Sequence, residues 1–358
     1  MASGFERVAE VFASNFERRG ELGAACAVYR DGRPVVDLWG GLADPSTGRP
    51  WQRDTMVIVF STAKGIASVV VNRLIERGLL SADEPVARYW PEFAAGGKAA
   101  IPLRWLLSHQ AGLPDEGGTL TLEDIAAGER TIAELAARTP AWPPGSAHGY
   151  HARSFGWMVG ELVRRVTGAS LGQYLAAEIA SPLALDLYIG LPEPLEPRVA
   201  PLWRVEGVDG AAALVPYEGV WNTRALHAAE LPSSNGICSA HALARMYAAC
   251  VGEVDGIRLL QPDTVARACE VQATGIDCVL NAAFTFGLGF MLPPALPPRV
   301  GPRAFGHGGN GGSFAFADPD RNIGFGYVLN RVRPPGESEA CQYALVEALY
   351  DSLGQGTP

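Results

Sequence analysis

Residues 59–68 read VFSTAKGIAS, and the reading of this stretch decides the fold. It places Ser61 three residues before Lys64. The chain of 358 residues holds only two lysines, Lys64 and Lys98; its other 27 basic residues are arginine. Before Ser61, residues 55–60 (TMVIVF) form a β-branched and aromatic run of strand character. After it, Ile66, Val69, Val70, Leu74 and Ile75 fall on one apolar helical stripe, and Arg77-Gly78 supply an end signal. Ser61 therefore lies at a strand-to-helix junction. Lys64 follows one turn later on the same face, with Cβ atoms about 5–6 Å apart. The unpaired first-turn N–H groups point toward Ser61 and suit a developing oxyanion. The helix N-terminus disfavours the lysine's positive charge and pushes its pKa down. A neutral amine can take a proton from serine, whereas arginine stays protonated at any working pH. Base chemistry thus explains why this position keeps lysine, and S-x-x-K in this context points to a serine nucleophile.

Two other stretches imitate functional motifs. Residues 168–172, GASLG, match G-x-S-x-G, which requires a strand before the serine and a helix after it. Here amphipathic helix lies on both sides, so Ser170 with Gln173 reads as an N-cap and capping box. Residues 306–311, GHGGNG, match G-x-G-x-x-G, but strand follows where a dinucleotide site needs a helix. These glycines read as sites of close backbone approach. No cofactor is expected.

The remaining sequence sets the frame. The length allows one large or two intimate domains. With 48% hydrophobic and 19% charged residues the composition is that of an ordinary globular protein, and the net charge of −9 disfavours nucleic acid and anionic membranes. At the N-terminus Phe5, Val8, Phe12 and Phe16 recur at helical spacing, which reads as a surface helix rather than a signal peptide. No apolar run is long enough to span a membrane. The six cysteines lack a CxxC pair and read as free, mostly buried thiols, so a cytoplasmic location is expected. Residues 22–42 predict two strands around an Asp31-Gly32 turn, and strand character returns in residues 284–331 before a last helix at about 338–353. The arrangement implied is α+β: one antiparallel sheet built from both termini, flanked by helices, with a mostly helical insertion. Residues 1–60 and 280–358 form the first part and residues 61–279 the second, with Ser61 at the junction. Residues 196–225 are the least readable.

In order, FSTAKGI, RGLLSADEPVARYWPEF, IPLRWLLSHQAGLP, PAWPPGSAHGYHARSFGWMVGELV and FGHGGNGGSFAFADPDRNIGFGYVLNR carry a resemblance over nearly the whole chain. The protein resembles the class C β-lactamase-like serine hydrolases, above all the family VIII carboxylesterases. The resemblance implies the β-lactamase/penicillin-binding-protein-like fold. It implies Ser61 as nucleophile, with Lys64 and Tyr150 acting jointly as base and then acid. A phenol lowered in pKa by the neighbouring ammonium would relay the protons. The N–H groups of Ser61 and Asn310 would form the oxyanion hole, and His307, Gly308 and Gly309 would lie along the substrate. Two positions depart from the lactamase pattern: Ala152 replaces an asparagine, and His307-Gly308-Gly309 replaces Lys-Thr-Gly. Both changes remove groups that hold a β-lactam, so the resemblance implies an esterase for short, medium-chain or aryl esters working through an acyl-enzyme. An acyltransferase using the same site is the alternative, and a β-lactamase or D-amino-acid peptidase is less favoured. His148 and His151 flank Tyr150, but no carboxylate or HExxH pattern accompanies them, so no metal is expected. His109 and His151 read as structural. Small-molecule esters are the expected partners, and the segment 196–235 together with the helical insertion is expected to set their choice.

Overall fold

The structure is a computed structural model and describes residues 1–115, 121–126, 128–208, 211–334, 336–337 and 339–354. Strands β1 (Gly23–Arg30) and β2 (Arg33–Asp44) form the expected hairpin, with Asp31 and Gly32 both at positive φ in the turn. They join the short β3 (Arg49–Pro50) and three strands from the C-terminal end: β4 (Phe305–Gly308), β5 (Phe314–Asp318) and β6 (Ile323–Leu329). The order is β4-β5-β6-β1-β2-β3, antiparallel throughout. The chain termini meet where β1 pairs with β6, Ala24 opposite Leu329 and Arg30 opposite Ile323.

Period-2 alternation in β1 divides the core. Ala24, Cys26 and Val28 face one side, packed with residues of α1 (Glu6–Arg19) and α5 (Glu339–Gly354). Ala25, Ala27 and Tyr29 face the other, where α2 (Thr62–Glu76) and α4 (Ala240–Val251) contribute. Helix α4 lies against β6 closely enough that a Cβ on Gly324 or Gly326 would come within 2.2 or 2.4 Å of the carbonyl oxygens of Ala244 and Ala240. Glycine there admits the helix backbone. Helix α4 belongs to the stretch assigned from sequence to the helical part, yet it packs on the sheet. Around α2 the remaining core is helical, notably α3 (Ser154–Thr167). Ile66, Val69, Val70 and Leu74 are wholly buried, each worth about 1.5–3 kcal/mol.

The run before Ser61 departs from the simplest expectation. Only Val57–Ile58 is strand, and it pairs with Ile237–Cys238, which also pairs with Leu187–Tyr188, in a small sheet apart from the main one. Pairing continues past the strand through Val59 N–H, which donates to the Gly236 carbonyl at 2.9 Å, and an isolated bridge from Phe60 to Asn235, and ends at Ser61, where the helix begins. The middle of the chain is also less helical than expected. It contains the hairpin Trp203–Val208 and Ala211–Pro216, whose tip at 209–210 lies outside the described residues, and the pair Ala273–Ile276 and Ala283–Phe286.

Both imitation motifs have the predicted local structure. Helix α3 ends at Gly168 with φ +75°, and Ser170 and Gln173 form a full capping box on the next short helix. GHGGNG joins β4 to β5. Among the described residues no helix is long and apolar enough to cross a membrane.

Candidate active site

Ser61 is the N-cap of α2. Phe60, just before it, has φ +46°, a left-handed conformation that costs a non-glycine residue about 1–3 kcal/mol. Its ring is held by Trp221 and Tyr217, with centroids 4.7 and 5.8 Å away. The strain is concentrated at the residue that turns the strand into the helix and aims Ser61.

Lys64 is completely buried. Its Nζ lies 2.7 Å from the Ala152 carbonyl oxygen, 3.1 Å from that of Ser233 and 3.1 Å from Ser61 Oγ. Burial lowers its pKa from 10.5 to about 7, against a weaker opposing pull from Asp115. As an ammonium it donates to all three oxygens. As a neutral amine it has two N–H bonds, which the two carbonyls take, and its lone pair then faces the Ser61 hydroxyl. The only other lysine, Lys98, is also buried and donates to the carbonyls of Ala95 and Arg138, a purely backbone cage.

Tyr150 completes the group. Its hydroxyl is hydrogen-bonded to Ser61, and Lys64 Nζ sits 4.7 Å from its ring centroid. The expectation of a lowered phenol is reversed here. Burial pushes the Tyr150 pKa up, the Ser61 hydrogen bond opposes this, and the charges of Asp277 and Asp115 add to the rise. Burial thus favours the uncharged form of both groups, and it is the amine whose pKa is brought close to neutral pH.

The third motif is clamped to the first. Ser313 Oγ donates to the Val59 carbonyl at 2.7 Å, and Thr62 Oγ1 donates to the Ser313 carbonyl at 3.2 Å. A Cβ on Gly309 would stand 2.2 Å from the Val59 carbonyl oxygen, so only glycine permits this approach. The clamp puts Asn310 beside the junction. Among the described residues the N–H groups of Ser61 and Asn310 donate to no other protein group, while their neighbours Thr62 and Gly309 donate to Val59 and Ser313. Asn310 Nδ2 donates to the Tyr217 hydroxyl at 3.3 Å. Gly308 is half-buried. His307 is buried beside Tyr150, ring centroids 6.2 Å apart, with Nδ1–H donating to the Gly308 carbonyl and Nε2 without a partner. Burial and then Lys64 lower its pKa to about 3, so it carries no charge.

His151 and His109 hold the backbone and rings around Tyr150. His151 Nε2 accepts from Leu113 N–H at 2.8 Å and its Nδ1–H donates to the Gly149 carbonyl. His109, at φ +63°, accepts the His151 N–H at Nδ1 and packs between Tyr150 and Phe286. Burial keeps both neutral. Sequence reasoning missed Ser233, whose carbonyl cages Lys64, as well as Ser313, Asp115 and Asp277. Asp115 accepts Arg153 and Ser154 N–H groups at the start of α3, and Asp277 accepts that of Tyr150. A carbonyl leaves no trace in residue type, and the two acids lie in loops without periodicity. Ser170 is remote in role: its Oγ is engaged by Glu230 and the Gln173 N–H. A surface cavity of about 590 Å³ between Trp90, Ile132, Trp157 and Leu171 touches none of Ser61, Lys64 and Tyr150.

A fold of this kind, with a buried lysine against the serine that opens its central helix, defines a class of serine hydrolases. The chain belongs to the beta-lactamase family, whose model matches residues 8–350. Among individual proteins it is 36% identical over 357 residues to the esterase/beta-lactamase LipL of Mycobacterium tuberculosis, covering 92% of this chain and 82% of LipL. It is similar to the crystal structure of a family VIII carboxylesterase, with TM-score 0.91, 38% identity and 98% of each chain covered. It also matches a penicillin-binding protein homolog from Caulobacter crescentus, with TM-score 0.87, 39% identity and 98% of each chain covered. The β-lactamase-like α+β fold and the assignment to ester-cleaving serine hydrolases follow.

Proposed function

We propose that the protein is a carboxylesterase that cleaves short, medium-chain or aryl esters through an acyl-enzyme on Ser61. The observation that carries this is the fully buried Lys64 Nζ, 2.7 and 3.1 Å from the carbonyl oxygens of Ala152 and Ser233 and 3.1 Å from Ser61 Oγ, an arrangement that leaves the lone pair of a neutral amine for Ser61. Lys64 takes the Ser61 proton as Oγ bonds the ester carbonyl carbon, and becomes an ammonium. The carbonyl oxygen, now negative, is met by the N–H groups of Ser61 and Asn310. Tyr150 gives its proton to the departing alkoxide and regains one from Lys64, which returns to the amine. In deacylation water replaces the alcohol and the same transfers run in reverse. The family and the esterase names of its relatives support the ester class. A p-nitrophenyl ester chain-length series tests the reading, and no hydrolysis at any length would refute it.

Tyr150→Phe is expected to lower kcat by about 10²–10⁴-fold with the fold intact, because the ring still packs while the proton path is lost. Wild-type kinetics would remove Tyr150 from the mechanism. Because the working base is neutral Lys64, kcat/KM should rise with pH through about 7, falling about tenfold per unit below it. A flat profile from pH 5 to 8 would contradict this.

Ester hydrolysis is also expected to exceed β-lactam hydrolysis. Ala152 offers no side-chain amide, and His307 is buried and neutral where a fixed cation would hold a carboxylate. The missing neutral amide hydrogen bond is worth about 0.5–1.5 kcal/mol and the missing charge-assisted one about 1.5–3 kcal/mol, so together they account for about one and a half to three decades in kcat/KM. Comparable values for nitrocefin and p-nitrophenyl butyrate at pH 7–8 would overturn the ester assignment. Six free cysteines, four of them buried, fit a reducing compartment.

A further inference from the structure

The surface cavity of about 590 Å³ that lies apart from Ser61, Lys64 and Tyr150 has the size that encloses a small molecule. Helix Gly128–Ala137 gives it Ile132 and Ala136, α3 gives it Trp157, and Trp90, Leu171 and Pro232 add further apolar surface. An occupant therefore needs an apolar body about the size of a ring.

The charges around this surface fall on one side. Four carboxylates line the cavity, from Glu92, Glu129, Glu161 and Glu230, against the two guanidiniums of Arg164 and Arg165. Both guanidiniums are taken up by two of the acids. Glu161, 4% exposed, accepts from two Arg164 nitrogens at 2.8 Å each and from Arg165 Nε at 2.5 Å, and Arg165 also pairs with Glu92 at 2.9 Å. The other two acids have no cation. Glu230 accepts only uncharged donors, the Ser170 hydroxyl at 2.5 Å and the Gly172 N–H at 2.8 Å. Glu129 stands in the first turn of its helix, and among the described residues neither it nor Glu230 forms an ion pair. A concave apolar wall focuses the field of such carboxylates, and an indole face adds its own attraction for a cation. The Arg165 guanidinium already lies 5.7 Å from the Trp90 ring centroid in this way, while Trp157 is half-buried.

We propose that this cavity binds an amphiphilic monoamine: one ammonium, drawn by the Glu129 and Glu230 carboxylates, on an aromatic or branched apolar body that packs against Trp157, Ile132 and Leu171. The amine sits behind the lysine cage rather than in the place of the ester. Pro232 lines the cavity, and Ser233, the next residue, turns its carbonyl to Lys64. Gly156, also in the lining, is so close to that segment that a Cβ on it would stand 2.6 Å from the Ser233 nitrogen.

The test is calorimetric titration of the full chain at pH 7 with phenethylammonium, and with 2-phenylethanol and phenylacetate as its neutral and anionic counterparts. The amine is expected to bind at one site with a dissociation constant of about millimolar or below, and to bind more weakly as salt is added. The alcohol should bind several-fold more weakly and the carboxylate not at all. Glu129→Gln should weaken the amine several-fold, and Glu129→Lys by at least about tenfold. Ala133→Trp, at an exposed position of the lining, should block the cavity and abolish binding. Both positions are at the surface, and melting temperatures taken without ligand check that each variant is folded. No saturable binding of the amine overturns the proposal, and so does equal binding of the alcohol or the carboxylate. An affinity that folded Glu129→Lys and Ala133→Trp variants leave unchanged places the amine elsewhere and overturns it as well.

Discussion

Turnover of Lys64→Arg is expected to fall as far as that of Lys64→Ala, about 10²–10⁴-fold below the wild type. Retained charge does not help, because the position needs a removable proton. The two carbonyls of Ala152 and Ser233 would accept from a guanidinium as readily as from an amine. What a guanidinium lacks is the lone pair that faces Ser61 Oγ. An arginine variant within a few-fold of wild type would refute base catalysis by Lys64. The same burial gives a second readout. The folded pKa lies near 7, below the ordinary 10.5 of an unfolded lysine, so between these values the unfolded chain binds more protons. Stability should then rise with pH across about 7 to 10.5. Lys64→Met fills similar space without a proton to lose. It should be inactive, melt above the wild type at pH 7, and lose that slope.

Ser61→Ala is expected to abolish turnover, by at least about 10⁴-fold, since the nucleophile and the hydroxyl that meets Lys64 and Tyr150 are one atom. Ser170→Ala should leave turnover unchanged. Ser170 caps a short helix and bonds Glu230, so its loss shows as about 1 kcal/mol of stability instead. The pair is informative because both serines sit in motifs of catalytic form. A folded but dead Ser170→Ala enzyme would transfer the nucleophile to the second motif.

Much of this was legible in the sequence because it depends on local rules. The β1–β2 hairpin followed from Asp31-Gly32, the helical stripe of α2 from its apolar spacing, and the capping box from Ser170 and Gln173. The rarity of lysine marked two positions, but Lys98 is a structural lysine in a carbonyl cage, so the spacing to Ser61 did the separating. What stayed hidden is non-local. The short pairing of Val57–Ile58 with Ile237–Cys238 joins segments some 180 residues apart. The carbonyls of Ala152 and Ser233 act through backbone that any residue supplies. Asp277 reaches Tyr150 across 127 positions. The direction of the Tyr150 shift was misjudged for the same reason: proximity to a cation was visible in the motif, while the burial that outweighs it arises from distant packing around Phe286 and His307.

The central claim is an acyl-enzyme on Ser61 formed with Lys64 as base, and covalent labelling tests it most directly. The protein would be treated with a fluorophosphonate, or acid-quenched during turnover of a p-nitrophenyl ester, and the modified peptide mapped by mass spectrometry. The account predicts one adduct per chain, on Ser61, absent from Ser61→Ala, and formed far more slowly in Lys64→Arg. An adduct on another serine, or equal labelling of the Ser61→Ala variant, would contradict it.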